Sequence, residues 1–122
     1  MPVIIASKAR YAGIVTPPAI GEEVTVIEVP GAEDDYIVEG YIDLGDLSSG
    51  DAVEVREYVA VDGANYRVFL KHTFTGPVAE PVLRLHAKTL LSSAKYKVSI
   101  TQTSGTLRSF PYAFVVEVLG TV

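Results

Sequence analysis

The loop Asp43-Leu44-Gly45-Asp46-Leu47-Ser48-Ser49-Gly50-Asp51 gathers three carboxylates within nine residues. Hard oxygen donors of this kind bind calcium when loop carbonyls complete the shell. Their spacing departs from the alternate-position acidic loop with a closing glutamate that makes the EF-hand specific. The competing reading is a corner. Gly45 and Gly50 let the backbone turn, Asp and Ser accept hydrogen bonds from loop amides, and Leu47 tucks under as a plug at one end of the fold. The corner reading is preferred here, and no metal ligand is assigned. The run Glu33-Asp34-Asp35 reads the same way, as a solvated turn.

The other reactive residue types do not assemble into a site. There are two histidines. His72 falls on the apolar-parity side of its segment and His86 on the polar-parity side of another, so they are not expected to converge. A cupin-type metal centre needs three histidines, or two with a carboxylate, and the chain lacks that set at matching spacing. No serine sits in a nucleophile elbow: Thr103-Ser104-Gly105-Thr106-Leu107 joins two strand-like runs, not a strand and a helix. Glu54, Glu57 and Glu117 could pair as carboxylates only by chance of register. Glu57 is unusual because parity turns it inward, where a carboxylate needs a partner, and Arg56 faces the other way. No catalytic residue and no cofactor are expected, and the chain reads as a non-enzyme.

The elements that would position these residues are strands. Side chains of a strand alternate between two faces, so a half-buried strand shows an apolar residue at every second position. Val53, Val55, Val59 and Val61 alternate with Glu54, Arg56 and Tyr58, and Tyr66, Val68, Leu70, His72 and Phe74 alternate with Arg67, Phe69, Lys71 and Thr73. Asp62-Gly63-Ala64 between these runs predicts a hairpin. Leu83, Leu85 and Ala87 oppose Arg84, His86 and Lys88. Tyr96, Val98 and Ile100 oppose Lys97, Ser99 and Thr101. Phe110, Tyr112, Phe114, Val116 and Val118 form one face of the last run, while Val115 and Leu119 make its other face partly apolar. Glu23–Val29 and Tyr36–Leu44 add two more strands, the second pointing Tyr36, Val38, Ile42 and Leu44 inward, with Gly40 leaving room for a bulge or a close neighbour. Pro2–Ala6 is a candidate eighth. The one stretch with helical character, Lys88–Ala94, is too short and uncapped to compete with a loop.

Seven or eight such strands, separated by turn residues and lacking a long helix, predict an all-β, two-sheet antiparallel sandwich, jelly-roll-like. The first residues differ: Thr16-Pro17-Pro18 stiffens the chain and cannot join a central strand. Residues 1–22 are therefore read as an extended N-terminal arm and residues 23–122 as the sandwich domain. An apolar arm either folds over its own sandwich or lies on a neighbouring subunit.

Composition limits the functional classes. With 122 residues, one core is expected. At 48% hydrophobic and 20% charged residues the chain is too apolar to stay disordered. A net charge of −5 with scattered basic residues argues against nucleic acid. The absence of cysteine removes disulfides, thiolate nucleophiles and cysteine-bound zinc. No basic, long apolar leader opens the chain, so no signal peptide is expected, and no run approaches the roughly 18 apolar residues of a membrane helix.

With these residues laid out, EGYIDLGDLSSGDAVEVREYVAVDG, TFTGPVAEPVLRLHAKT and YKVSITQTSGTLRSFPYAF together resemble small β-sandwich proteins encoded among virion genes of tailed phages and related viruses. The resemblance runs from about Glu39 to Phe114 and carries no catalytic signature. It implies a virion structural protein of the capsid decoration or cement type, located in the virion after synthesis in the host cytoplasm. The implied partners are further copies of itself, a trimer among the options, and a capsid or other virion protein. Expected interface residues are Val3, Ile4, Ile5, Tyr11, Ile14 and Val15 of the arm, with Phe69, Val115 and Leu119 on sheet faces. The alternative is a carbohydrate- or calcium-binding module, suggested by the acidic corner and by Tyr11, Tyr58 and Phe69 as outward aromatics.

Overall fold

Alternation in side-chain character becomes alternation in burial. In the computed structural model, which describes residues 2–122, Tyr36, Val38 and Ile42 are buried while Tyr41 and Asp43 of the same strand are exposed. The same rule builds eight strands: β1 (Val3–Val15), β2 (Glu23–Val29), β3 (Tyr36–Asp43), β4 (Ala52–Ala60), β5 (Arg67–Thr75), β6 (Val82–Leu90), β7 (Lys95–Ser104) and β8 (Phe110–Thr121). No helix is present among the described residues, so none is long and apolar enough to cross a membrane.

The strands form two antiparallel four-stranded sheets, one ordered β1-β8-β3-β6 and the other β2-β7-β4-β5. First pairs with last, second with seventh, third with sixth and fourth with fifth, as in one long hairpin rolled up on itself. That is the topology of a jelly roll. Tyr36, Val38, Ile42, Phe110 and Phe114 from the β1 sheet meet Val53, Val55, Tyr96, Val98 and Ile100 from the β2 sheet in one core. The Tyr36 hydroxyl donates to the Ala94 carbonyl at 2.6 Å, which lets a buried phenol keep a partner.

Several local expectations change once the strands pair. Residues 3–15 of the segment read as an arm form β1, the outermost strand of its sheet, paired with β8 from Val3↔Thr121 to Val15↔Phe110 with one register shift near Ala6. Thr16-Pro17-Pro18 then carries the chain over to the β2 sheet. The stretch Lys88–Ala94, expected as a loop, is strand as far as Leu90, the end of β6, and a tight turn follows, the Ala94 amide donating to the Leu91 carbonyl at 2.9 Å. Val61, read as inward, lies past the end of β4 and is exposed. The predicted hairpin joins β4 to β5, its loop held by Asp62 Oδ1, which accepts the Ala64 and Asn65 amides at 2.9 and 2.8 Å.

Gly40 meets both expectations placed on it. The β3–β6 register shifts between Val38 and Gly40, and the Phe114 ring on β8 packs so close that a Cβ on Gly40 would overlap it and stand 2.7 Å from the Ala113 carbonyl oxygen. Gly40→Ala is therefore expected to lower unfolding stability by about 1–3 kcal/mol, the usual range for overpacking, measured as a shift in urea midpoint; an unchanged midpoint would show that this contact yields freely.

Candidate interaction surface

Because Phe110, Phe114 and Val116 point into the core, the alternate residues of β8 point away from it. They meet outward residues of both neighbours in straight rows. Arg10, Val115 and Glu39 share one row across β1, β8 and β3, and Ala12, Ala113 and Tyr41 share the next. Ile14 stands beside Pro111, Ile5 beside Leu119 and Val3 beside Thr121. On this outer face Val3, Ile5, Ile14 and Tyr41 are exposed, by 67%, 56%, 68% and 48%. A depression of about 300 Å³ lies at its centre, over Ala12, Ala113 and Gly40, between Arg10 on one side and Glu39 on the other.

The residues singled out in the sequence divide according to parity. Val3, Ile5, Ile14, Val115 and Leu119 lie on this one outer face, the last two half-buried. Ile4 has the opposite parity but is exposed beside Gly120. Val15 is buried and Tyr11 packs against the core, so both face the interior and leave the candidate surface. Phe69 also lies elsewhere. A register shift between Glu57 and Tyr58 in the β4–β5 ladder leaves it as the extra residue, and it packs with its ring 5.8 Å from the Lys88 ammonium. Sequence alternation missed Tyr41, Ala12 and Ala113, because small residues and a lone tyrosine give no apolar signal until three strands stand side by side.

A second group is buried and polar. Glu57 is 1% exposed. Its Oε1 accepts Lys88 Nζ and the Tyr96 hydroxyl, each at 2.7 Å, and its Oε2 lies 3.4 Å from His72 Nε2. Parity of the sequence turned Lys88 outward. The bulge in β6 opposite Glu39 reverses the parity, pairing Lys88 with inward Val38, and so supplies the partner that Glu57 required. Burial, and then the Glu57 charge, push the Tyr96 phenol well above its ordinary range. The cluster draws on β4, β5, β6 and β7 and ties the two sheets where their edge strands β5 and β6 lie. Among the described residues no buried side-chain polar atom lacks a hydrogen bond. His86 is exposed on β6 and stands apart from this group.

The acidic corner is a knot of hydrogen bonds. Asp51 is 2% exposed; Oδ2 accepts the Ser48 amide and Arg108 Nε, both at 2.8 Å, and Oδ1 accepts the Thr106 amide at 2.9 Å. Asp43 Oδ1 accepts the Gly45 amide at 2.8 Å, and Leu47 is buried as the plug. No group of three or more His, Asp or Glu side chains among the described residues is placed to hold a metal ion. The Ser48 amide holds the Asp51 carboxyl below its ordinary 3.8 against the opposing push of burial, helped by Thr106 and Arg108.

The outer face of the β2 sheet contrasts with that of the β1 sheet. The hydroxyls of Tyr58 and Ser99 donate to Glu23, and that of Tyr66 donates to Glu28. Lys97 Nζ sits 4.6 Å from the Tyr58 ring and 4.8 Å from the Tyr66 ring. Burial pushes the Glu23 carboxyl up, but the Ser99 and Tyr58 hydroxyls, with Arg56 and Lys97 nearby, outweigh it and hold the group low. These polar groups satisfy one another, and the rings are already covered by a cation.

The fold defines the class, an eight-stranded jelly-roll sandwich. No protein-family model matches the chain, and neither does any curated protein sequence. Among solved structures it is similar to a mutant VP2 protein of infectious bursal disease virus from derived T=1 particles, with a TM-score of 0.50, 10% identity, and 92% of this chain and 31% of that chain covered. It is also similar to the infectious bursal disease virus VP2 subviral particle, with a TM-score of 0.49, 11% identity, and 96% and 32% covered. This chain thus spans about a third of the length of those VP2 chains. At such identity the likeness is one of fold.

Two outcomes follow from the polar groups. Removing one partner of a buried ion pair strands the other, so Lys88→Met should cost about 3 kcal/mol or more in urea unfolding, and Glu57→Leu with Lys88→Met should regain most of it; equal stability of wild type and Lys88→Met would mean that the pair holds nothing together. For Asp51, a folded-state value below the unfolded one gives stability that is present above pH 3.8 and lost as pH falls through the folded value. The melting-temperature gap between wild type and Asp51→Asn should be widest near neutrality and close as the pH drops below 3.8; a gap independent of pH would refute the charge argument.

Proposed function

We propose that this chain is a non-enzymatic structural protein of a virion, a decorating or cementing sandwich that acts as a homo-oligomer and rests on a capsid or other virion protein. The observation that carries this reading is the asymmetry of the two outer faces. Apart from Val68 on its edge strand, the β2 sheet presents groups already hydrogen-bonded to one another, whereas the β1 sheet presents Val3, Ile5, Ile14 and Tyr41 exposed beside half-buried Val115 and Leu119. Exposed apolar side chains gathered at both ends of one sheet face, around the charged rows of Lys8 and Arg10, are the kind of surplus that another protein covers. The jelly-roll likeness to VP2 particles supports the reading by analogy of fold. Nucleic acid is not proposed as a partner, because the net charge is −5. The place of action proposed is the virion.

Sedimentation velocity of the full chain from low micromolar to near-millimolar concentration tests the oligomeric part. A concentration-dependent assembly is expected, weakened by Ile5→Ser with Ile14→Ser. A monomer over the whole range, with the double variant indistinguishable from it, would remove the reading.

A further inference from the structure

The outer face of the β1 sheet has matching positive and negative, and large and small, positions on opposite sides of β8. Arg10 on β1 and Glu39 on β3 flank Val115 in one row; Ala12 on β1 and Tyr41 on β3 flank Ala113 in the next. The ion pairs among the described residues engage Arg56, His72, Lys88 and Arg108 and leave Arg10 and Glu39 unpaired. From this we infer that the occupant of the face is a second copy of the same chain, packed sheet to sheet about a two-fold axis running along β8. The inference rests on the oligomeric reading above and names its surface and partner.

A two-fold axis along β8 carries β1 of one copy over β3 of the other and keeps each row opposite itself. Arg10 then lies over Glu39 of the second copy, and Glu39 over its Arg10, so each dimer holds the pair twice. In the adjacent row the exposed Tyr41 ring enters the shallow depression over the second copy's Ala12, again twice. Val115 meets its own equivalent on the axis. Glu117 also lies on β8 and meets itself, but Lys8 stands next to it in register on β1. The two basic and two acidic groups named here sum to zero within a chain whose net charge is −5, so this is a face where copies approach without net repulsion. An axis across the strands would instead set Arg10 on Arg10, which the charges oppose.

The size is adequate. Three or four strands at about 4.8 Å spacing, over the twelve residues of β8, cover roughly 600–800 Å², against about 800 Å² per partner in a stable complex. Packed sheets keep their strands within about 30° of each other, a geometry that a near-parallel axis supplies.

Charge reversal with mixing tests this arrangement. Arg10→Glu makes both facing positions acidic and Glu39→Arg makes both basic, so each variant alone should dimerise at least about tenfold more weakly than wild type. An equimolar mixture of the two should restore dimers, because the two reversed charges then face each other and so do the two native ones. The double variant Arg10→Glu with Glu39→Arg should dimerise alone. Circular dichroism melts of the single variants, matching wild type, separate loss of association from loss of fold. A wild-type oligomer that both single variants leave unchanged overturns this face as the interface while the oligomeric reading stands. A wild-type chain that stays monomeric overturns both.

Discussion

A β-strand has two faces, and a two-layer sandwich can bury only one of them. In this protein that constraint governs the rest. The inward sets of β3, β4, β7 and β8 fill a single core, and whatever apolar residues remain on the outward sets must stay wet or find another protein. On the β2 sheet most of the outward set avoids the problem, since Glu23, Glu28, Tyr58, Tyr66 and Lys97 satisfy each other, and Val68 on the edge strand β5 is the exposed apolar exception. On the β1 sheet it does not, and Val3, Ile5, Ile14 and Tyr41 stay exposed.

The same constraint explains why a bulge matters so much. One extra residue reverses the parity of everything beyond it. In β6 a bulge turns Lys88 inward onto Glu57, adding a cation to the Tyr96 hydroxyl and His72 that already face this buried carboxylate and completing a four-residue network. A carboxylate left alone at that depth would cost several kcal/mol, and the ion pair offsets that cost only because the remaining hydrogen bonds are made as well. The network sits where the edge strands of the two sheets lie, at the side least covered by core side chains: Leu70 on β5, of inward parity, is still 43% exposed. Polar groups there hold together a side that apolar contact alone leaves weak.

In the acidic corner the neighbours of Asp51 occupy it. Both of its oxygens accept donors, from Ser48, Thr106 and Arg108. It joins the turn after β3 to the turn before β8, two segments more than fifty residues apart in the chain. The loop is fastened at one end of the roll, with Leu47 closing the core beneath it.

Seven of the eight strands, β2 to β8, with most of their inward residues, the hairpin at Asp62, the role of Gly40 and the all-β class are legible in the sequence alone, because a repeat of two is a local property that each segment carries. The sequence also identified Val3, Ile5, Ile14, Val115 and Leu119 as surplus apolar positions. The tertiary structure decided the rest. Which strands are neighbours depends on pairings between residues a hundred positions apart, such as Val3 with Thr121. Where parity breaks depends on bulges that the alternation of types does not mark, so Lys88 and Phe69 were read on the wrong side. That Val15 and Tyr11 lie inside, and that Arg10 and Glu39 flank one valine, follows only from placing β1 and β3 on either side of β8. Local periodicity sets which face of a strand is apolar, but only long-range registry sets what that face meets.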